Sequence, residues 1–267
     1  MHVFENKIIR PVMTRLAQIS IDQISPKMTV FGRFACLGRA ILSKSFRESS
    51  VRVLNHQKLR IDGLVDILMD QNLILKNNYD KNQVDGFSIS KDLKGWIAEV
   101  YNQNLLRDLY SADLFFFDSF SDLTDRLFLH NDFAFFAHGI DVRDQENLVD
   151  NGYLDTSNML ESFSRFLSFV SSLNSAPIFM IHYSSRHDSR NLFQKRSVEI
   201  HALYKQLETR FTNFNFIDLS EAEYQLGERD NFPYHYARET IEKLVYGFKC
   251  RLIENGLRPS RYLYRVD

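Results

Sequence analysis

The stretch Leu114-Phe-Phe-Phe-Asp118-Ser119-Phe-Ser-Asp122 decides the fold. Its first four residues are apolar without a break. A strand with one wet face alternates polar and apolar residues, whereas a continuous run reads as a strand covered on both faces, the usual state in a parallel sheet. The run stops at Asp118, so a polar loop follows at the carboxyl end of the strand. Similar runs lie on either side. Met28-Thr-Val-Phe31 ends at Gly32, Val51-Arg-Val-Leu54 follows, Ile178-Phe-Met-Ile181 begins after Pro177, and Phe214 to Leu219 is the last. Phe133-Ala-Phe-Phe136 is a candidate extra strand.

Helical periodicity fills the intervals. Leu160, Phe163, Phe166, Leu167, Val170 and Leu173 recur at spacings of three and four. Thr156 or Ser157 is placed to cap that helix, with Glu161 in its opening turns. Val198, Leu203 and Leu207 repeat along a more polar stretch, and Ala237, Ile241, Leu244, Val245 and Phe248 form a final stripe. Strand–helix alternation of this kind predicts an α/β domain of three layers, with about five parallel strands. Lys76 to Ser90 and Asp141 to Leu154 read as long loops, a length often associated with function.

Composition bounds the rest. The 267 residues suit an N-terminal segment, 1–27, followed by one domain over 28–267. Within the first segment, Val12, Leu16, Ile19 and Ile24 give residues 8–24 the pattern of an amphipathic helix. It is expected to pack on the body, with a partner subunit of a homo-oligomer or a membrane face as the alternatives. A formal net charge of -1 offers nucleic acid no bulk attraction. The 23 Phe fall mostly in strand or helix patterns, so core packing explains them better than base stacking. No apolar run reaches the roughly 18 residues of a membrane helix. Arg10, Arg15, Gln18 and Asp22 interrupt any signal core. Cys36 and Cys250 do not make a disulfide framework, which points to a reducing compartment, read here as the cytoplasm.

Four loops at the expected carboxyl edge carry groups with chemistry. After the first strand, Gly32-Arg33-Phe-Ala-Cys36-Leu-Gly-Arg39 places Cys36 at the amino end of a helix. The helix dipole, with Arg33 and Arg39, favours the thiolate there, and amides of the same turn are placed to hold an oxyanion or phosphate. The competing reading of Cys36 is a small buried hydrophobe. Asp118 and Ser119 follow the Phe-rich strand; Asp118 is a candidate to orient a histidine, and Ser119 is either a ligand to substrate or a helix cap with Asp122. His182-Tyr-Ser184-Ser-Arg186-His187 offers His182, Ser184 and Arg186 as substrate ligands. Its histidines lack metal spacing, and no zinc site is expected. Asp230-Asn-Phe-Pro-Tyr-His235 puts His235 on a loop between the last strand and the last helix, where it is suited to general-base work.

In order and placement these loops resemble the SGNH (GDSL-type) hydrolase superfamily. Phe34-Ala-Cys36-Leu-Gly-Arg39 stands in its first block, and the form is similar to the Gly-Ser-Cys variants of bacterial surface-polysaccharide clusters. Phe117 to Arg126 and Tyr234-His235-Tyr236 resemble those proteins too, and Gly63 is the candidate for the second-block glycine. The resemblance implies a flavodoxin-like sheet over residues 28–254. It also implies acyl transfer or ester hydrolysis on a glycan or acylated small molecule, in polysaccharide biosynthesis. Phe34 or Ala35 occupies the place of the family's serine, so the implied nucleophile becomes Cys36. His235 then takes the base role, oriented by Asp230 or Asp118, although Asp230 and His235 are five residues apart where the family has three. The asparagine of the third block has no counterpart at 118–122.

Two other classes stay open. Arg33, Arg39 and Arg186 suit a transferase with a phosphate-bearing donor, coenzyme A or a nucleotide sugar; no cofactor is required otherwise. The missing serine and asparagine suit a non-catalytic binding protein on the same scaffold.

Overall fold

The computed structural model describes residues 27–47, 50–57, 59–70, 105–130, 133–138, 148–228 and 232–257. The predicted N-terminal helix, the 76–90 loop and Asp230 lie outside these residues, as does the first part of the 141–154 loop. The chain is an α/β protein. Among the described residues its main sheet has five strands: β1 (Met28–Arg33), β2 (Val51–Asn55), β3 (Leu114–Asp118), β7 (Ile178–Ile181) and β8 (Phe214–Ile217). They lie in the order β2-β1-β3-β7-β8, all parallel, as in a flavodoxin-like sheet.

The Phe-rich run accounts for both faces. Successive side chains of a strand point to opposite sides. Phe116 packs edge-on against Phe248 of the last helix at 5.0 Å, whereas Phe117 meets Phe166 at 5.6 Å on the other side. Two helix layers result. Helix α1 (Cys36–Ser45) and α7 (Arg238–Glu254) cover the first face; α2 (Ile61–Val65, continued by a wider turn to Asp70), α5 (Thr156–Leu173) and α6 (Asn191–Arg210) cover the second. Short helices α3 (Leu105–Tyr110) and α4 (Phe120–Thr124) flank β3. No helix among the described residues is long and apolar enough to cross a membrane.

A second sheet was not anticipated in full. The expected strand at Phe133 is β5 (Phe133–Ala137), but it belongs to a separate antiparallel sheet, β5-β4-β6, with β4 (Arg126–His130) and β6 (Leu148–Asp150). Strand β6 lies inside the stretch read as a loop. Arg126 pairs with Asp150 across this sheet. Three local expectations need correction. Asp155, not Thr156 or Ser157, caps α5, accepting the Asn158 N–H at 2.9 Å. Val198 is exposed, and the buried stripe of α6 is Phe193, Ile200, Leu203, Tyr204 and Leu207. Ser119 precedes α4 but makes no side-chain cap, because its hydroxyl is engaged elsewhere.

In this strand order the chain leaves β1 toward β2 and returns on the other side of β1 at β3. The loops after β1 and β3 therefore diverge, opening a crevice at the carboxyl edge where α/β proteins bind ligands.

Candidate functional site

The crevice is built on the turn after β1. Asn55, at the end of β2, holds that turn: its Oδ1 accepts the Phe34 N–H at 3.1 Å and its Nδ2 donates to the Phe34 carbonyl at 3.0 Å. Helix α1 then starts at Cys36, whose side chain is exposed. Beneath it lies Asp118, which is fully buried. Its Oδ2 accepts the Ala35 N–H at 2.7 Å and its Oδ1 the Phe120 N–H at 3.2 Å. Burial pushes this carboxyl up to about 7, against the downward pull of the Ala35, Phe120 and Gly38 amides. Close approach requires Gly38: a Cβ there would sit 2.4 Å from the Phe34 Cβ and 3.1 Å from Asp118 Oδ2.

The other wall comes from the loop between β8 and α7. Its tyrosines alternate with its exposed residues. Tyr234 and Tyr236 point inward, where Tyr234 Oη donates to Asp188 Oδ2 and Tyr236 Oη to the Ser184 carbonyl, each at 2.7 Å. His235, between them, is turned outward and exposed. The backbone is clamped as a short ladder, with Gly227 N–H on the His235 carbonyl and Ala237 N–H on the Gln225 carbonyl, each at 2.7 Å. Cys36 and His235 thus come to line one open cleft of about 950 Å³, which also meets Lys44, Glu228, Tyr234 and Arg238.

Most other expected site residues are placed elsewhere. Arg33 is not beside Cys36. It points to the opposite face of β1, 1% exposed, with Nη1 and Nη2 on the Asp122 carboxylate and Nη1 also on the Leu59 carbonyl. Arg39 is exposed but borders a separate groove beside Phe34, Phe46 and Val53. The oxygens of Asp118 accept backbone amides. Ser119 and His182 are wholly buried and bonded to each other at 3.3 Å. Ser119 Oγ also accepts the Tyr183 N–H, and His182 Nε2 meets Ser197 Oγ at 2.8 Å. Burial above all, with nearby His201, lowers His182 to about 3, so the ring is neutral. Ser184 is buried and donates to Glu221 at 2.5 Å; Arg186 is exposed, its Nη1 on the Glu221 carbonyl. Gly63 lies inside α2 against Phe136, away from the crevice.

Two of the amides expected to hold an oxyanion are engaged within the fold. The Ala35 amide is engaged by Asp118 and the Leu37 amide by Tyr183 Oη at 2.8 Å. Tyr183 is the residue sequence reasoning passed over. Its hydroxyl lies 3.5 Å from Cys36 Sγ. No local signal marked it, because Tyr183 lies just past the end of β7 at Ile181 and meets Cys36 only through the strand order. Among the described residues no cluster of histidine, cysteine or carboxylates could hold a metal ion.

No protein-family model matches this chain, and no curated protein is significantly similar to it.

Proposed function

We propose that this protein is an SGNH-like enzyme of acyl transfer or ester hydrolysis, acting on a glycan or a related acylated molecule. One observation carries the reading: an exposed cysteine at the amino end of α1 and an exposed histidine from the β8–α7 loop line the same cleft, at the carboxyl edge of a parallel sheet. In the proposed reaction the Cys36 thiol gives its proton to His235 as Sγ bonds to the acyl carbon. The departing alkoxide takes that proton from His235, leaving a thioester. Water or an acceptor hydroxyl then attacks the thioester, again through His235, and frees the thiol.

The test is acetylation by p-nitrophenyl acetate, followed by mass spectrometry of tryptic peptides. The expected result is an acetyl adduct on Cys36 that Cys36→Ala removes, with turnover in His235→Ala down by about 100-fold. Wild-type turnover in Cys36→Ala would reject the nucleophile. No adduct and no turnover would leave a binding protein, the reading favoured by Ala35 at the serine position.

A transferase with a phosphate-bearing donor is the second reading. Arg33 and Arg39 do not serve it, but Lys44 and Arg238 line the cleft and offer cationic groups of their own. Stabilisation by coenzyme A or a nucleotide sugar in a thermal-shift series, lost in Lys44→Ala with Arg238→Ala, is its expected result.

A further inference from the structure

We infer that the Tyr183 hydroxyl donates a hydrogen bond to the Cys36 sulfur and stabilises negative charge there; the inference rests on the reading of Cys36 as the nucleophile. The argument is one of hydrogen counting. Tyr183 Oη receives the Leu37 N–H at 2.8 Å, and an amide N–H can only donate. The hydroxyl has one hydrogen of its own, which must point to another acceptor. Cys36 Sγ is 3.5 Å away, within the range of a hydrogen bond to sulfur. A donor aimed at a developing thiolate is the charge-assisted kind of hydrogen bond, stronger than a neutral one.

The donor is also rigid. Tyr183 is 0% exposed, and its ring is packed against Phe120 at 5.2 Å, Tyr234 at 5.8 Å and Tyr236 at 6.1 Å between centroids. A hydroxyl held this way needs no reorganisation when charge appears on the sulfur. Burial holds the phenol's pKa well above its ordinary range, so the O–H stays in place near neutral pH. No atom of Tyr183 is transferred: its O–H bond is intact before and after, and the thiol proton goes to His235 or water. Other titratable groups face the pair, namely Asp118 below, Tyr236 alongside, and His235, Lys44, Glu228, Arg238 and Glu239 around the cleft. They are common to wild type and variant, so a comparison between the two isolates the phenol.

The experiment is alkylation of Cys36 by iodoacetamide in a Cys250→Ala background, with Tyr183 or Phe at position 183. Near pH 7 the Tyr183→Phe variant should react about tenfold more slowly, the cost of one hydrogen bond to a charged group. Near pH 10, above the ordinary thiol pKa of about 8.5, the two rates should converge. Equal rates at both pH values, or equal slowing at both, would overturn the inference, because a purely structural role moves accessibility at every pH. Should Tyr183→Phe fail to fold, 3-fluorotyrosine incorporated in place of tyrosine keeps the ring and makes a stronger donor. It must then speed alkylation near pH 7, and no acceleration would overturn the inference. Alkylation needs no acyl chemistry. A Tyr183 effect without an acetyl adduct therefore removes the acyl-transfer reading alone, and an adduct without the effect removes Tyr183 alone.

Discussion

Arg33 and Asp122 meet through two parallel hydrogen bonds, Nη1 to Oδ1 at 2.9 Å and Nη2 to Oδ2 at 2.6 Å, with both side chains cut off from water. The pair ties β1 to α4. Asp122 also accepts the Ile61 N–H at 3.1 Å and the Tyr204 hydroxyl at 3.3 Å, which draws α2 and α6 onto the same carboxylate. The guanidinium lies between the rings of Phe117 and Phe163, 5.4 and 5.6 Å from their centroids. An arginine that reads as a phosphate ligand is thus the hub of one helix layer.

Removing half of that pair strands the other half. Asp122→Ala should lose about 3–5 kcal/mol in urea unfolding, the usual result of leaving one buried charge uncompensated. The double variant Arg33→Met with Asp122→Leu should lose less than Asp122→Ala alone. A double variant less stable than that single one would mean the pair stabilises by more than mutual neutralisation.

Acid should weaken the fold through His182. Its folded pKa, about 3, lies below the unfolded value of about 6.5. The stability it contributes is therefore complete above pH 6.5 and is lost as pH falls toward 3, by about 3 kcal/mol at pH 4. His56, lowered to about 4 chiefly by burial, adds in the same direction. Asp118 acts oppositely: its carboxyl is raised to about 7, so its contribution is complete below about pH 4 and declines as pH rises to 7. Urea midpoints taken across this range should show His182→Gln losing less stability on acidification than wild type. Parallel curves would exclude His182 as a source of the acid sensitivity.

Gly63 should not tolerate even one methyl group. A Cβ there would lie 2.3 Å from Phe136 Cε2 and 2.6 Å from its Cζ, and the ring is buried under the Arg60 guanidinium at 4.8 Å. Gly63→Ala should lower stability by about 1–3 kcal/mol, seen as a reduced melting temperature. An unchanged melt would show that the Phe136 ring is able to swing aside.

The sequence was most legible where one short segment carries its own environment. Runs such as Leu114–Phe117 and Ile178–Ile181 announce buried parallel strands because every residue in them avoids water. Strands β4 and β6 were silent. Arg126-Leu-Phe-Leu-His130 mixes polar ends with an apolar middle, and Leu148–Asp150 has only three residues, so only pairing across the chain makes them strands. Two residues of the cleft were also legible. Cys36 follows β1 by a short turn, and His235 lies on the longer connection between β8 and α7, so both come to the carboxyl edge of the sheet.

Local pattern by itself determined the layers and the five parallel strands, because hydrophobic periodicity acts over a few residues. Tertiary structure alone decided which polar groups remain available. Arg33, Asp118, Ser119, His182 and Ser184 all read as site residues, and each is withdrawn by a partner supplied from elsewhere in the fold, Asp122 from 89 residues away in the case of Arg33. Burying a polar group is unfavourable unless a partner meets it, and that partner is set by packing rather than by the group's own neighbours in sequence. Tyr183 is the converse case: an ordinary core aromatic in the sequence, made a neighbour of Cys36 by the strand order that sets β7 beside β3 and β3 beside β1.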